Sequence, residues 1–297
     1  MTAITADQRD PLYARGVAFM LAAGAFASVN GVLFRNIEAA TDWQIIFWRN
    51  STMFLFLMGL LILRTRGAVV TSFRAAGKPG LVGGLILGAG NIFFALSIIH
   101  TTVANSLFIL SASPFIAAAF AWLLLRERVQ AETVYFMLAS LAGVGIMVYE
   151  GLGGGRLYGN AMAVVTMLCH AGFVVSLRAG KAADMLPSVV IAGLTGTLIA
   201  FAAGARPGDI TAHDWAISTA MGAGAMSLGF VFFTAGSRYV PAAQVALLSL
   251  SEVVLGPILV LVIVHEVPSA LTLIGGAVVL AAVILQALWG MRAGARR

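Results

Sequence analysis

Two ionisable side chains, Glu252 and His170, lie deep inside long apolar stretches of the sequence. A charged side chain near the middle of a bilayer costs roughly 2.5–3.5 kcal/mol on insertion scales, so such groups face protein or water and mark candidate functional sites. Glu252 shares a helical face with Ser249, three residues earlier. This carboxyl group is suited to exchange a proton or to pair with an ammonium ion. A neutral or serine-bonded structural carboxyl group is the alternative, and the pattern favours neither.

His170 follows Thr166 by four residues and precedes Phe173 by three, which brings a hydroxyl, an imidazole and a ring to one helical face. These groups suit contact with a zwitterionic or aromatic solute. Lone histidines in apolar helices more often form a structural hydrogen bond between helices, and that interpretation stays open. The neighbouring Cys169 points away from His170 on a helix and no second pair of ligands accompanies them, so we expect no metal site.

Neutral polar and aromatic side chains supply the remaining candidates for a binding site. Asn30, Asn91 and Ser111 offer donors and acceptors that match carboxylate or amine groups without a buried charge. Their alternative role is hydrogen bonding between neighbouring helices. Phe94 and Phe173 share apolar stretches with these polar residues, and we expect them to form walls or gates of a cavity.

Arg49 is a basic residue within an apolar stretch, beside Trp48 and near one end of that stretch. This position favours snorkelling toward the interface or capping of a carbonyl group. A carrier of phosphorylated solutes would be expected to direct several Lys or Arg side chains into its cavity. Because only Arg49 comes near, the pattern favours a solute with one apolar group and a small polar head.

The sequence has no signature of catalysis or of cofactor binding. It contains no HExxH, no Gly-x-Ser-x-Gly, no Walker-type loop and no convincing Asp pair. Lys78 and Lys181 both lie in connections, which excludes a retinal-type light receptor. The basic residues lie in short connections and form no basic stripe, so nucleic acid is not an expected partner. We predict a protein that is not an enzyme and has no cofactor.

The elements that carry these residues are membrane-spanning helices. Apolar residues make up 60% of the 297, and charged residues only 10%, far below the quarter that is typical of soluble proteins. Runs of about 20 apolar residues cross a bilayer. Ten such spans are predicted, at Tyr13–Phe34, Trp43–Leu63, Pro79–Ile99, Thr102–Leu125, Thr133–Tyr149, Leu157–Leu177, Pro187–Ala203, Trp215–Thr234, Pro241–Val264 and Leu271–Trp289.

The distribution of basic residues predicts the orientation. When the connections are assigned alternately to two sides, fourteen of the 18 Lys and Arg residues fall on one side with both termini. The other side receives only Arg35, Arg156 and Arg206. Since basic residues accumulate on the cytoplasmic side, both termini are predicted to be cytoplasmic.

The sequence also contains an internal repeat. Gly90–Phe94 (GNIFF) reappears as Gly229–Phe233 (GFVFF), each within a long apolar span. Arg35 corresponds in the same way to Arg178, and Glu127 to Glu266. An odd number of helices per repeat inverts the second copy in the membrane, so residues 13–149 and 157–289 are predicted to form two inverted five-helix repeats.

Each repeat carries a proline in its fourth helix, Pro114 and Pro257. The proline ring removes one backbone hydrogen bond and bends the helix. In lipid, the freed carbonyl groups need a neighbour or a water-filled cavity. We therefore predict hinges at both prolines, with a purely structural kink as the alternative.

Several stretches resemble the EamA-type carriers of the drug/metabolite transporter superfamily. They are Ser113–Phe120, Leu125–Val129, Leu250–Glu266 and Phe47–Asn50, and the resemblance covers nearly the whole chain. The resemblance implies ten helices in two inverted repeats, all-α membrane architecture, and a central cavity lined by the first, third, fourth, sixth, eighth and ninth helices. Within the family, the amino acid exporters are the most similar group.

These observations predict a transporter in a bacterial inner membrane that exports amino acids, including aromatic and other apolar ones, by alternating access. A multidrug or other metabolite exporter of the same superfamily is the first alternative, and a membrane receptor or channel is the second. The expected partners are a small-molecule solute and the lipid bilayer. The sequence leaves open the oligomeric state, the exact cargo, and whether transport is proton-coupled or facilitated.

Overall fold

The computed structural model of the chain describes residues 11–126, 131–153, 155–180, 186–237, 239–240 and 242–295. In this part the regular elements are all helices. Their bounds are α1 Pro11–Arg35, α2 Asp42–Thr65, α3 Val69–His100, α4 Val103–Leu110, α5 Ser113–Leu125, α6 Ala131–Gly153, α7 Leu157–Gly180, α8 Leu186–Ala202, α9 Ala212–Thr219, a π-helical segment Ala220–Met226, α10 Ser227–Gly236, α11 Ala242–Val264 and α12 Ala270–Ala295. Glu127, half of one predicted repeat correspondence, lies outside the described residues.

Nine helical segments of the described part are long and apolar enough to cross a membrane. A further apolar helix, α8, is shorter than these nine. Large apolar side chains cover the outer surface, including Leu63, Tyr135 and Val262, each more than 60% exposed. Such a surface is stable against lipid tails and not against water. The protein is therefore a multi-pass membrane protein.

The fourth predicted span consists of two helices, α4 and α5, separated by Ser111 and Ala112. Pro114 lies in the first turn of α5, where its missing N–H has no partner to lose. A helix break thus lies next to Pro114, and its role as a hinge stays a prediction. Pro257, in contrast, lies inside α11, which continues through it as one helix. Neighbouring turns of a membrane helix can accommodate the lost bond, so the two prolines differ in their local structure, and a hinge at Pro257 stays a prediction.

Two other spans depart from a regular α-helix. α3 begins ten residues before the predicted span and is interrupted at Gly77, whose φ of 59° and ψ of −163° are not helical. The eighth span consists of α9, the π-helical segment and α10 in succession. In that segment Gly222 packs against the main-chain oxygen of Arg49, at a position where a Cβ atom would not fit.

Glycines bring neighbouring helices into close contact around α3. A Cβ atom at Gly84 would lie 2.7 Å from the main-chain oxygen of Ser188 in α8, and one at Gly88 would lie 2.8 Å from that of Ala192. Gly83 packs against the side chains of Phe173 and Ser176 in α7. Small residues allow this close approach of backbones, which stabilises helix pairs in lipid through dispersion. α3, α7 and α8 thus form a tightly packed group.

One end of the bundle, where α1, α3, α6 and α11 finish, is joined by polar contacts; we call it the bonded end. Arg35 donates from Nε to Glu266 at 2.6 Å, from Nη1 to the Ile98 oxygen at 2.8 Å and from Nη2 to the Thr101 oxygen at 2.6 Å. Glu266 also accepts from the N–H of Val103 at 2.8 Å. These bonds connect the ends of α1, α3 and α11 to the start of α4.

Asp214, at the start of α9, makes a second connection at the bonded end. Its carboxylate accepts from the backbone N–H groups of Glu38, Ala39 and Ala40 at 2.8–3.0 Å. The α1–α2 connection is thereby attached to the start of α9. Charge-assisted bonds of this kind are the strong ones among protein hydrogen bonds.

Asn160, at the start of α7, makes a third connection at the same end. Its Oδ1 accepts from Thr101 Oγ1 at 2.7 Å and from Asn105 Nδ2 at 3.0 Å, and its Nδ2 donates to the Met147 oxygen at 2.9 Å. Asn105 in turn accepts from Thr272 at 2.7 Å. The bonded end is therefore held by buried side chains from most of the helices that meet there.

Candidate functional site

The break between α4 and α5 lies inside an apolar span, where a helix is normally continuous. Ser111 donates from its hydroxyl to the Phe108 oxygen at 2.7 Å, and Ala112 donates from its N–H to the Ile109 oxygen at 3.2 Å. Helix ends leave backbone groups without intrahelical partners and carry partial charges. The break thus brings polar backbone into the apolar bundle.

His170 of α7 reaches this break. Its Nδ1 lies 3.2 Å from the hydroxyl of Ser113, the first residue of α5. His170 is half-buried, and Thr166, one turn earlier, donates its hydroxyl to the Met162 oxygen in its own helix. The structure therefore gives His170 the interhelical hydrogen bond of the structural interpretation, and its contact with a solute stays a prediction.

The position of α11 relative to α4 follows from two close contacts. A Cβ atom at Gly31 would meet both Val103 and Val260, so these residues lie at one level. A Cβ atom at Gly256 would meet Leu107. Moving back four residues in α11 thus corresponds to moving forward four residues in α4. The two helices are antiparallel over this region.

Continuing this register by one more turn places Glu252 at the level of Ser111, next to the helix break. Glu252 is half-buried, and within the described part of the chain no hydrogen bond or ion pair of its carboxyl group is found. Ser249 donates its hydroxyl to the Val245 oxygen at 2.8 Å. The serine on this face thus bonds its own backbone. His170 and Glu252 approach the break from two different helices.

Arg49 does not snorkel to the surface, as the sequence favours; its side chain is completely buried. Its Nη1 donates to the main-chain oxygen of Asn91 at 3.0 Å, which matches the other alternative, carbonyl capping. Its Cζ lies 5.4 Å from the ring centroid of Phe34 and 5.7 Å from that of Phe94. The guanidinium is therefore held between α1 and α3. Consecutive residues such as Trp48 and Arg49 point about 100° apart around a helix, so the exposure of the tryptophan carries no information about the exposure of the arginine.

Several polar atoms of Arg49 and of the helices that contact it, α1 and α3, are buried without a hydrogen-bond partner in the described structure. They include Nε and Nη2 of Arg49, Nδ2 of Asn91 and Oδ1 of Asn30. Asn30 lies one turn before Phe34 on the same face of α1, and its Nδ2 donates to the Ala27 oxygen at 3.1 Å. Buried polar atoms without partners are rare in proteins and need an explanation. Arg49 was not predicted as a site residue from the sequence, although the cost of a charge in a span applies to it as it does to Glu252.

The two predicted aromatic walls lie in different surroundings. Phe94 is half-buried and faces Arg49. Phe173 is 3% exposed and packs in an apolar cluster with Met53 and Leu57 of α2, next to Gly83 of α3. The structure thus brings Phe94, but not Phe173, to the unpaired polar atoms.

A cleft of about 330 Å³ opens between α1, α11 and α12. Its lining is almost entirely apolar, with Leu21, Leu247, Leu248, Leu250, Ser251, Val254 and Ile284. The predicted site residues do not line this cleft. The central cavity predicted between the repeats stays a prediction.

Comparison with known proteins adds a family and a fold. The model of the EamA-like transporter family matches the chain twice, at residues 14–149 and 157–288. No curated protein sequence matches the chain. Among the solved structures that match the chain, one is described only as the crystal structure of a protein. Its TM-score is 0.63 at 17% sequence identity, and the alignment covers 92% of this chain and 98% of the other. At this identity the likeness shows a shared fold.

Proposed function

Because the chain belongs to the EamA-like transporter family, whose model covers nearly all of it, we propose that this membrane transporter exports amino acids, apolar and aromatic ones among them. The narrower resemblance to the aromatic amino acid exporter YddG is part of this proposal. The observation that carries it is the set of polar groups enclosed in an otherwise apolar bundle: His170 at the helix break, Glu252 at the same level, and Asn91 beside Arg49 and Phe94.

These groups suit a solute with a small polar head and an apolar body. Asparagine, serine and histidine side chains exchange hydrogen bonds with carboxylate and ammonium groups, and phenylalanine rings contact an apolar side chain. Within the described structure, Arg49 is the only Lys or Arg that is fully buried. A phosphorylated solute carries two negative charges and would need more cations than the single guanidinium of Arg49.

The proposal includes ten membrane crossings in two inverted five-helix repeats, residues 13–149 and 157–289. The double match of the family model supports the repeat, and the apolar helix α8 supports a tenth crossing. Both termini are then cytoplasmic in a bacterial inner membrane, as the basic residues favour. The bonded end is the periplasmic end in this orientation. A C-terminal reporter that is active only in the periplasm would contradict it.

Alternating access follows from inverted repeats, because exchanging the conformations of the two halves opens the other side of the membrane. In this proposal the break at Pro114 and the proline-containing turn at Pro257 serve as hinges. The bonds of Arg35 and Glu266 then close the periplasmic side in the described conformation.

Reconstitution tests the cargo directly. The purified protein in liposomes is expected to exchange labelled phenylalanine and leucine down their gradients, and empty liposomes are the control. If no amino acid moves while a cationic drug does, the amino acid proposal is wrong and a multidrug exporter replaces it. If no solute moves under any gradient, a receptor function becomes the better explanation.

A second experiment tests proton coupling. Glu252→Gln and His170→Ala remove the two ionisable groups at the break, so accumulation driven by a pH gradient should be lost while passive exchange remains. Glu132→Gln changes an exposed carboxylate at the start of α6 and is the matched control. If both site variants accumulate substrate like the parent, transport is facilitated diffusion.

A further inference from the structure

We propose that Arg49 binds the carboxylate of the transported solute through its Nε and Nη2 groups, so that the cargo is restricted to monocarboxylates. This inference rests on the proposed function and specifies its substrate class. It begins from the two guanidinium nitrogens that are buried without a partner in the described structure. A guanidinium has only donors, so whatever completes it must be an acceptor.

The two unpaired nitrogens lie on the same edge of the guanidinium. Nε–H and one N–H of Nη2 point in parallel, and this edge forms paired hydrogen bonds with the two oxygens of a carboxylate. The third nitrogen, Nη1, is occupied by the Asn91 oxygen. That bond fixes the side chain so that the carboxylate-binding edge remains free. A carboxylate places one oxygen opposite each of these two N–H groups and supplies a negative charge, whereas a water molecule supplies one oxygen and no charge.

The charge of Arg49 points to an anion as well. The side chain is completely buried, and the described part of the structure contains no ion pair with it. The two phenyl rings offer cation–π attraction, which offsets part of the lost hydration without neutralising the charge. An isolated buried charge is strongly unfavourable, and a bound carboxylate would neutralise the charge of Arg49.

Neighbouring groups extend the site to the rest of an amino acid. Asn91 contributes Nδ2, a further unpaired donor, on the residue that already holds Nη1. Asn30 contributes Oδ1, an unpaired acceptor suited to an ammonium group. The rings of Phe34 and Phe94 lie on the guanidinium and would contact an apolar side chain. One positive charge pairs with one carboxylate, which disfavours dicarboxylates and phosphate esters.

The solute reaches Arg49 only when α1 and α3 separate, because the guanidinium is enclosed in this conformation. Phe34, which covers it, immediately precedes Arg35, whose three bonds close the bonded end. Opening of these bonds would therefore also move the ring that covers the site. Binding and opening of this end are coupled through two adjacent residues of α1.

Thermal stabilisation of the purified full-length protein tests the inference with three related probes: phenylalanine, phenylacetate and phenylalaninamide. Both carboxylates should raise the melting temperature of the parent, and the amide should need roughly 10-fold higher concentration or more, the size of one charge-assisted hydrogen bond. Phenyl phosphate should stabilise less than phenylacetate. If the amide stabilises as well as the acids, or if none of the probes stabilises, the inference is wrong.

Variants assign the effect to the residue. Arg49→Met should abolish the preference for acid over amide, and Arg49→Lys should keep a reduced preference because it retains a charge without the paired donors. Arg156→Gln removes a cation at the bonded end whose side chain is 43% exposed, and should respond to the probes like the parent. An Arg49→Met protein with the parent's preference would refute the site. If Arg49→Met does not fold, Arg49→Lys decides: an unchanged preference refutes the site.

The results separate this inference from the proposed function. Stabilisation by phenylacetate that depends on Arg49, without transport of any amino acid, would leave the carboxylate site standing and reject the cargo. Transport of phenylalanine by Arg49→Met, with the parent's preference for acid over amide, would leave the cargo standing and reject the site.

Discussion

Replacement of Arg35 by glutamine should open the bonded end. Arg35→Gln removes the ion pair with Glu266 and the bonds to two main-chain oxygens. The two side chains of the pair are only 21% and 18% exposed, so solvent screens them weakly. At about 1.5–3 kcal/mol for each hydrogen bond to a charged group, the three bonds total about 4.5–9 kcal/mol; with roughly half or more of this recovered by hydration, closure should weaken by about 2–4 kcal/mol. That corresponds to roughly a 30- to 900-fold change in the equilibrium between closed and open forms.

Thiol labelling measures this opening. In a Cys169→Ala background, Ser97→Cys places a thiol at a completely buried position near the bonded end, and Asn36→Cys places one at an exposed position. A membrane-impermeant maleimide should modify the buried thiol at least roughly 30-fold faster in the Arg35→Gln protein when opening is fast relative to labelling. The exposed thiol should react at the same rate with and without this substitution.

An exposed ion pair at the same end provides the control. His100 and Asp42 form a 2.8 Å contact, but their side chains are 40% and 35% exposed. Exposed pairs contribute about 0–1 kcal/mol, so His100→Gln should change the labelling rate by less than roughly 5-fold. Equal effects of the two substitutions, or none of Arg35→Gln, would refute the assignment of closure to the Arg35 bonds.

Two further substitutions test the packing. Asp214→Asn should lower the free energy of unfolding by about 2–4 kcal/mol, because an amide cannot accept from three N–H groups as a carboxylate does. Thermal denaturation measures this loss. Glu38→Gln, at an exposed carboxylate nearby, should have little effect, and equal losses in the two variants would contradict the explanation. Gly222→Ala should cost about 1–3 kcal/mol because its methyl group would meet the Arg49 oxygen. Gly224→Ala, with open space at the same π-helical segment, should cost less than about 0.5 kcal/mol, and a similar loss in both would refute the steric argument.

Span positions follow well from sequence because each is set by a local property, the length of an apolar run. Deviations arise where composition carries no signal. The residues of the π-helical segment Ala220–Met226 are small and apolar like those of an ordinary membrane helix, and the close contact of Gly222 with α2 has no counterpart in the composition. Pro257 and Pro114 carry the same local signal, yet only Pro114 lies next to a helix break, in the first turn of the helix that follows it. The difference depends on packing between helices.

The candidate site was predictable in part. An ionisable residue in an apolar span indicates a site because of its insertion cost alone, and this cost points to His170 and Glu252. It does not reveal which way a side chain points around its helix. Phe173 therefore resembled a cavity wall but is buried in a helix contact, and Arg49 resembled an interface residue but is enclosed. Their positions depend on the rotation of each helix, which only tertiary contacts determine.

The π-helical segment places a constraint on chain length. Each residue added to an α-helix turns the remainder of the helix by about 100°, so the extra residue in a π turn rotates α10 relative to α9 by about that angle. The span uses this rotation to contact α2 with its first part and α1 with its last part. A single-residue deletion within 220–226 would restore a regular helix and turn the aromatic face of α10, including Phe232 that stacks on Phe26, away from α1. Within this segment, an insertion or deletion would therefore disturb helix packing more than most substitutions would.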